Sequence, residues 1–330
     1  MSIIVGDCLK SLKKMDDCSV QSVITSPPYW GLRDYGEDGQ VGLEATPEEY
    51  VEKMVEIFRE VKRVLRDDGT LWLNLGDSYN GSGGPGSQVD TLKKGGYGKI
   101  FKKFDNPNRN YSGLKPKDLV GIPWRVAFAL QADGWYLRQD IIWSKPNCMP
   151  ESVKDRCTKS HEYIFLLTKS RHYYYDNEAI KEPVTSAVNG IGSGGPDTRL
   201  KGVLTASGTS GGNNGIAEAK KKLVKQLQSG LIPMKNKRSV WTIKPATFKE
   251  AHFAVFPEEL VEVCLLAGTK PKDVVLDPFG GSGTTAVSAL RHDRSAILLE
   301  LSEEYAKIAE KRLNNFKKDI GLDKEDVDWL

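Results

Sequence analysis

Short apolar runs, each closing on a polar turn, alternate along this 330-residue chain with longer stretches of helical period. SIIVGD reads as a strand ending in a turn, followed by an amphipathic helix through about Met15 and then the strand VQSVIT. A long helix is predicted from Pro47, with Thr46 as its N-cap and Val51, Met54, Val55, Phe58, Val61 and Leu65 on one face. It is expected to stop near Asp67-Asp68-Gly69, and TLWLNLG is the next strand. Lys117–Ala132 is helical by pattern, while WYLRQDIIW and HEYIFLLTKS are strands able to form a hairpin-like pair. Towards the end come a helix over Pro257–Ala267, a strand over Val274–Asp277, a helix from Gly283, the strand SAILLEL and a helix over Glu303–Phe316. Strands alternating with helices predict an α/β fold, a doubly wound, mostly parallel sheet.

Two glycine-rich stretches, Asn80–Gly98 and Asn189–Gly215, break the pattern and read as mobile loops. The stretch from Lys181 to Lys249 also holds KKKLVK and the aromatic string SVWTIKPATF, and is read as a recognition insertion. The chain thus divides into 1–180, with a mobile loop over 80–112, the insertion 181–249, and a second core segment 250–330. The formal net charge is only +3, but it is unevenly spread. Lys93–Arg125 carries nine basic residues against two acids and Ala217–Lys249 nine against one, whereas Glu300–Leu330 has nine acids against six basic residues. This asymmetry predicts an anionic partner held by particular loops, with lysine-rich solvated faces as the plainer alternative.

With 39% hydrophobic residues the chain can bury a sizeable core. No apolar run reaches the roughly 18 residues that span a bilayer, and the first residues do not have the form of a signal peptide. A cytoplasmic protein is therefore expected. The five cysteines Cys8, Cys18, Cys148, Cys157 and Cys264 are scattered without a C-x-x-C pair, which argues against a disulfide framework or a structural zinc site. No metal is expected.

Two strings follow apolar runs and should sit at the carboxyl ends of parallel strands, where open α/β sheets bind ligands: TSPPYW at Thr25–Trp30 and LDPFGGSGTT at Leu276–Thr285. The glycine turn lets backbone approach a ligand. Dinucleotide binding, phosphate binding or plain strand-to-helix geometry would each explain it alone, although a P-loop is disfavoured because no lysine follows Gly283. Glu300, at the end of the following strand, is placed to accept hydrogen bonds from ribose hydroxyls. The pairing resembles the amino-group DNA methyltransferases, and the order, catalytic motif first, resembles their beta class.

The resemblance implies S-adenosyl-L-methionine as cofactor and double-stranded DNA as partner, with a separately acting restriction endonuclease as a candidate second partner. It assigns Asp277, Gly280, Gly281 and Gly283 to the methionine end of the cofactor, Glu300 to its ribose and Asp7 to the surroundings of its adenine. Thr25, Pro278, Phe279, Ser282 and Thr284 belong to the same expected site. Where family members often carry His-Pro, this chain has Phe256-Pro257.

An exocyclic amine becomes more nucleophilic when two acceptors hold its hydrogens, and Ser26 Oγ and the Pro27 carbonyl are the candidate pair. Pro27 and Pro28 carry no amide hydrogen, leaving carbonyls free to accept. Tyr29 would stack on a base extruded from the duplex. A rigid turn or polyproline ligand is the alternative for PPYW. Trp30, Arg33 and Tyr35 are candidates for contacts with the flipped nucleotide or its phosphates, with core packing the alternative for Trp30. Trp143 and Lys145 match a family position flanking the base pocket. Arg199, Lys235, Lys237 and Arg238 are candidates for DNA contacts, to phosphates or bases. Ser before Pro-Pro is usual in the family for cytosine N4 and Asp or Asn for adenine N6, so N4 methylation is expected, with adenine N6 as the alternative. Carbon-5 methylation is disfavoured because no Pro-Cys dipeptide occurs. RNA or protein amines, and a silent nucleic-acid-binding module, remain rival readings.

Overall fold

The computed structural model describes residues 1–32, 34–81, 111, 113–183, 234–246 and 256–321. They divide into a large unit, Met1–Tyr175 with Ser239–Leu330, and a small one, Asp176–Arg238. In the large unit the chain enters through strand β1 (Ser2–Val5), helix α1 (Cys8–Leu12) and strand β2 (Val20–Thr25). The predicted first helix is shorter than its pattern and continues only as turns, Lys14 N donating to Ser11 O and Met15 N to Leu12 O.

Helix α2 (Pro47–Val64) starts as expected, the Thr46 hydroxyl accepting from Glu49 N at 3.1 Å and Pro47 standing at the first helical position. Its buried stripe runs through Tyr50, Met54, Ile57, Phe58, Val61 and Val64. Val51 and Val55, expected on this face, are only partly buried and lie beside the observed stripe. There is no loop at Asp67-Asp68-Gly69. Strand β3 (Leu65–Leu75) begins directly at the helix end, and its pairing with β2 jumps from Leu65 opposite Val20 to Thr70 opposite Ser22. The predicted stop signal is this irregularity; a Cβ on Gly69 would lie 2.6 Å from the Leu65 side chain.

Helix α3 spans Ile122–Ala132, starting later than predicted because Lys117 (φ 74°) and Gly121 (φ 79°) are left-handed. It lacks its own capping side chain; Asp77, just beyond β3, accepts from Gly121 N at 2.9 Å and Ile122 N at 3.1 Å instead. Strands β4 (Tyr136–Ser144) and β5 (His161–Thr168) form the expected antiparallel pair. In the small unit β6 (Glu182–Pro183) pairs with β7 (Met234–Lys235), and Lys235 and Arg238 both lie near Glu182, at 3.3 and 3.8 Å.

The segment SVWTIKPATF departs from expectation. Its strand β8 (Val240–Thr242) runs parallel to β4 at the edge of the main sheet, with Trp241 buried, so it is core instead of insertion. The chain closes with α4 (Glu258–Gly268), β9 (Val274–Asp277), α5 (Thr284–Arg291), β10 (Ser295–Glu300) and α6 (Glu303–Asp319). Among the described residues the main sheet has eight strands in the order β1-β10-β9-β2-β3-β5-β4-β8, all parallel except β5. From β9 the chain winds to β10 on one side, and from β2 to β3 on the other. The switch point between β9 and β2 is where such a sheet opens a crevice at its carboxyl edge.

Candidate active site

A cleft of ≈ 250 Å³ opens at that switch point, and both sequence motifs line it. Their joint is one hydrogen bond: at the end of β2, Thr25 Oγ1 donates to Asp277 Oδ1, at the end of β9, at 2.7 Å. Asp277 also accepts from Thr285 Oγ1 at 2.7 Å and Phe279 N at 3.1 Å. Burial pushes its carboxyl above the usual range, and those three donors pull it back only in part. Thr25 and Gly283, both expected in the cofactor site, do not line the cleft. Thr25 is spent on Asp277, and Gly283 is a packing residue: at φ 81°, a Cβ there would lie 2.9 Å from Ala309 Cβ.

On the β9–β10 side, Glu300 Oε2 accepts from Gly281 N at 2.7 Å and Oε1 from Ser302 N at 2.9 Å. Each oxygen keeps a lone pair for the cleft. Burial raises this carboxyl, opposed by the two amides and reinforced by the charges of Asp277 and Glu37. Asp7 lines the same cleft while capping α1, its Oδ1 accepting from Lys10 N at 2.8 Å. Ser282 and Thr284 are held from behind by Arg312, whose Nη1 donates to Thr284 Oγ1 at 2.9 Å and whose Nη2 donates to Glu258 Oε1 at 2.6 Å.

On the β2–β3 side, the Tyr29 ring sits so close to the end of β3 that a Cβ on Gly76 would lie 2.5 Å from it. Asn74 Nδ2 donates to Tyr163 O at 3.0 Å, which turns Oδ1 towards the motif. There it accepts from Ser26 Oγ at 3.2 Å and faces Tyr29 Oη at 3.1 Å. Tyr29 has one hydrogen, and its shortest contact is with the Glu162 carboxylate, 2.7 Å to Oε2. The other carboxylate oxygen accepts from Lys145 Nζ, which lies 4.3 Å from the centre of the Trp143 ring. Tyr50 Oη donates to the Pro28 carbonyl at 2.9 Å, whereas the Pro27 carbonyl carries no hydrogen bond among the described residues. Burial, then the charge of Glu162, holds the Tyr29 phenol well above its ordinary value, so it stays protonated.

Residues 20–311 match the family profile described as DNA methylase. The chain belongs to the DNA methylase family. Its similarity to named members spans nearly the whole molecule: 45% identity to the type II methyltransferase M.SmaI of Serratia marcescens, over 94% of this chain and 90% of that one. Identity to M.Cfr9I of Citrobacter freundii is 46%, over 94% and 87%. The fold also matches the cytosine-N4-specific PvuII DNA methyltransferase (TM-score 0.57, 20% identity, 97% of this chain and 92% of that chain). A further match is TTHA0409 of Thermus thermophilus, solved with S-adenosyl-L-methionine (0.55, 21%, 96% and 95%).

This DNA methylase is an S-adenosyl-L-methionine-dependent DNA methyltransferase, and its cleft suits that cofactor. Among the described residues Asp7, Glu37, Asp277 and Glu300 line it, and the one lysine there, Lys145, is paired with Glu162, so a sulfonium cation meets complementary charge and a pyrophosphate would not. For Trp30, nucleotide contact and core packing were both open. Trp30 is buried and donates from Nε1 to Glu44 O at 2.9 Å, making it a core residue. Arg33 and Arg199 lie outside the described residues, as do both glycine-rich stretches beyond Gly81. Asn74, Glu162 and Arg312 carry no motif of their own and went unforeseen. The faint signal for Glu162 is an acid opening an otherwise apolar strand, HEYIFLLT.

Proposed function

We propose that this DNA methyltransferase methylates the N4 amine of a cytosine extruded from duplex DNA. The carrying observation is the pair of acceptors facing the cleft: Ser26 Oγ, whose hydrogen is drawn towards Asn74 Oδ1, and the Pro27 carbonyl. With its hydrogen engaged behind it, the serine turns lone pairs outward to the amine. A neutral hydroxyl serves an amine whose ring already withdraws its lone pair. Tyr29, braced on Gly76, offers a ring face for stacking.

S-adenosyl-L-methionine, when bound, supplies an electrophilic methyl group. The chain's part is alignment: Asp277, locked to Thr25, ties the floor of the cofactor side to the strand that carries Ser26, so amine and methyl are brought into line by one rigid joint. In this reading Glu300 accepts the ribose hydroxyls and Gly280, Gly281, Pro278, Phe279, Ser282 and Thr284 wall the cofactor, with Asp7 beside the adenine. Lys145 reaches the flipped nucleotide, and Lys235, Lys237 and Arg238 contact DNA from the recognition insertion. The M.SmaI and M.Cfr9I likeness supports work beside a restriction endonuclease of the same target, inside the cytoplasm. No helix among the described residues is long and apolar enough to cross a membrane.

The test is incubation with S-adenosyl-L-methionine and unmethylated genomic DNA, digestion to nucleosides and mass spectrometry. N4-methylcytosine is expected. N6-methyladenine would overturn the base assignment, and absence of both would overturn the reading.

A further inference from the structure

Methylating a neutral amine leaves one proton too many on nitrogen, and the groups touching the amine in the proposed pose are poor bases. Pro27 offers an amide carbonyl, Ser26 a hydroxyl, and Asn74 behind it a carboxamide. Asp277, on the cofactor side, is already bound by three donors and is pushed towards its neutral form by burial. A second route does lead away from Ser26. Tyr29 Oη lies 3.4 Å from Ser26 Oγ, so a rotation of the Ser26 hydroxyl away from Asn74 turns its one hydrogen onto Tyr29, and Tyr29 Oη donates to Glu162 Oε2 at 2.7 Å. Glu162 stands at the start of β5, its side chain 15% exposed, so the route ends at a carboxylate in contact with solvent.

We propose that Glu162 receives the proton released by the amine, relayed through the hydroxyls of Ser26 and Tyr29. This rests on the reading of Ser26 as an amine acceptor. As the N–C bond forms, the S–C bond breaks and its electron pair stays on sulfur. The amine then loses one hydrogen to Ser26 Oγ, keeping the N–H pair on nitrogen, while the Ser26 hydrogen moves to Tyr29 Oη and the Tyr29 hydrogen to Glu162 Oε2. Ser26 and Tyr29 end unchanged, and Glu162 ends protonated and discharges to water.

A methylated aromatic ammonium is strongly acidic, so a carboxylate suffices as the final acceptor. The high phenol pKa of Tyr29 suits a relay group that passes a proton without ever being left ionised. Glu162 faces Tyr29 from the β2 loop, Lys145 from the end of β4 and the charge of Lys159 from the β4–β5 connection. Because Glu162 acts through Tyr29, it is a positioning and relay residue.

The experiment is single-turnover methyl transfer by the full chain on duplex DNA between pH 5 and 9, for wild type, Glu162→Gln, Glu162→Asp, Tyr29→Phe and the Gln/Phe double variant. Cofactor and duplex binding are followed separately by tryptophan fluorescence. Glu162→Gln should bind both ligands as wild type does and transfer about 100-fold more slowly, without the acidic limb of the wild-type profile. Glu162→Asp should recover that limb. Tyr29→Phe should cost a similar factor, and the double variant should be no slower than either single one. Wild-type rates with the acidic limb intact in Glu162→Gln, or fully additive losses in the double variant, would overturn the relay. So would a loss in Glu162→Gln explained wholly by weaker ligand binding. The methylated nucleoside is read separately, so a failure of the base assignment is seen as a different product and not mistaken for failure of the relay.

Discussion

The two sides of the cleft hold their polar groups by different means. On the β9–β10 side the partners are near in sequence: Asp277 binds Thr285 eight residues on, and Glu300 binds Gly281 nineteen residues back. On the β2–β3 side they are far apart: Ser26 and Asn74 are separated by 48 residues, Tyr29 and Glu162 by 133. A strand, a glycine turn and the next strand therefore suffice to shape the proposed cofactor side, whereas the proposed catalytic side exists only once β2, β3 and β5 lie side by side. The Thr25–Asp277 bond, across 252 residues, is where the two meet.

Breaking that joint should have the largest effect. Asp277→Ala leaves two buried hydroxyls and the Phe279 amide without their acceptor, at a cost of about 3 kcal/mol or more. Denaturant unfolding and calorimetry should show a destabilised protein that binds neither cofactor nor DNA productively. Asp277→Asn, which keeps an acceptor, should retain more stability than the alanine variant; equal losses would mean that the joint is not what holds the sides together.

Ser26→Ala strikes only the catalytic side. Single-turnover transfer should fall by about 100-fold, the range seen when one preorganised hydrogen-bond group is lost, with cofactor affinity and melting temperature unchanged. A parallel fall in cofactor affinity would show that the two sides are less separable than described.

Glu300 sharpens the comparison from the other side, through pH. Its folded-state pKa is raised, so between the ordinary glutamate value and that raised value the folded chain holds more of this proton than the unfolded one. Its contribution to stability therefore declines as pH rises through that window and is constant above it. On the proposed reading, in which the ionised carboxylate accepts the ribose hydroxyls, cofactor binding runs the opposite way: affinity should drop as pH falls through the raised pKa. Calorimetric titration from pH 5 to 8 should show this drop in the wild type and not in Glu300→Gln, whose affinity should be low throughout.

The smallest effect is expected at Glu258, whose carboxylate meets Arg291 and Arg312 at 2.6 Å each. Burial raises its pKa, but the two guanidinium contacts outweigh it and leave the group lowered. Its stabilisation is present above the unfolded value and is lost as pH falls through the folded one. The side chains are partly exposed, so Glu258→Ala should cost about 1 kcal/mol or less, visible as a small drop in melting temperature that vanishes in acid.

The same contrast of near and far partners explains how legible the molecule was. Strand and helix periodicity located the alternating core, and DPFGGSGTT, Glu300 and SPPY marked both walls of the cleft. Trp30, beside the motif, fitted either a nucleotide contact or core packing by sequence, and the turn after it folds its indole into the core against Glu44. SVWTIKPATF looked like part of the insertion, yet β4 leaves an open edge that its strand completes. Neither outcome is written locally, because each depends on a surface made by distant chain.

The sequence alone determined the mostly parallel α/β architecture, the glycine turn after β9 and the rigid Ser26-Pro27-Pro28-Tyr29 segment, since periodicity, glycine geometry and proline rigidity act over a few neighbouring residues. Only the tertiary structure decided that Thr25 braces Asp277, that Asn74 aims Ser26 and that Tyr29 leads to Glu162. Those bonds join side chains tens to hundreds of residues apart, which meet through the order and register of the strands, and no local pattern encodes that meeting.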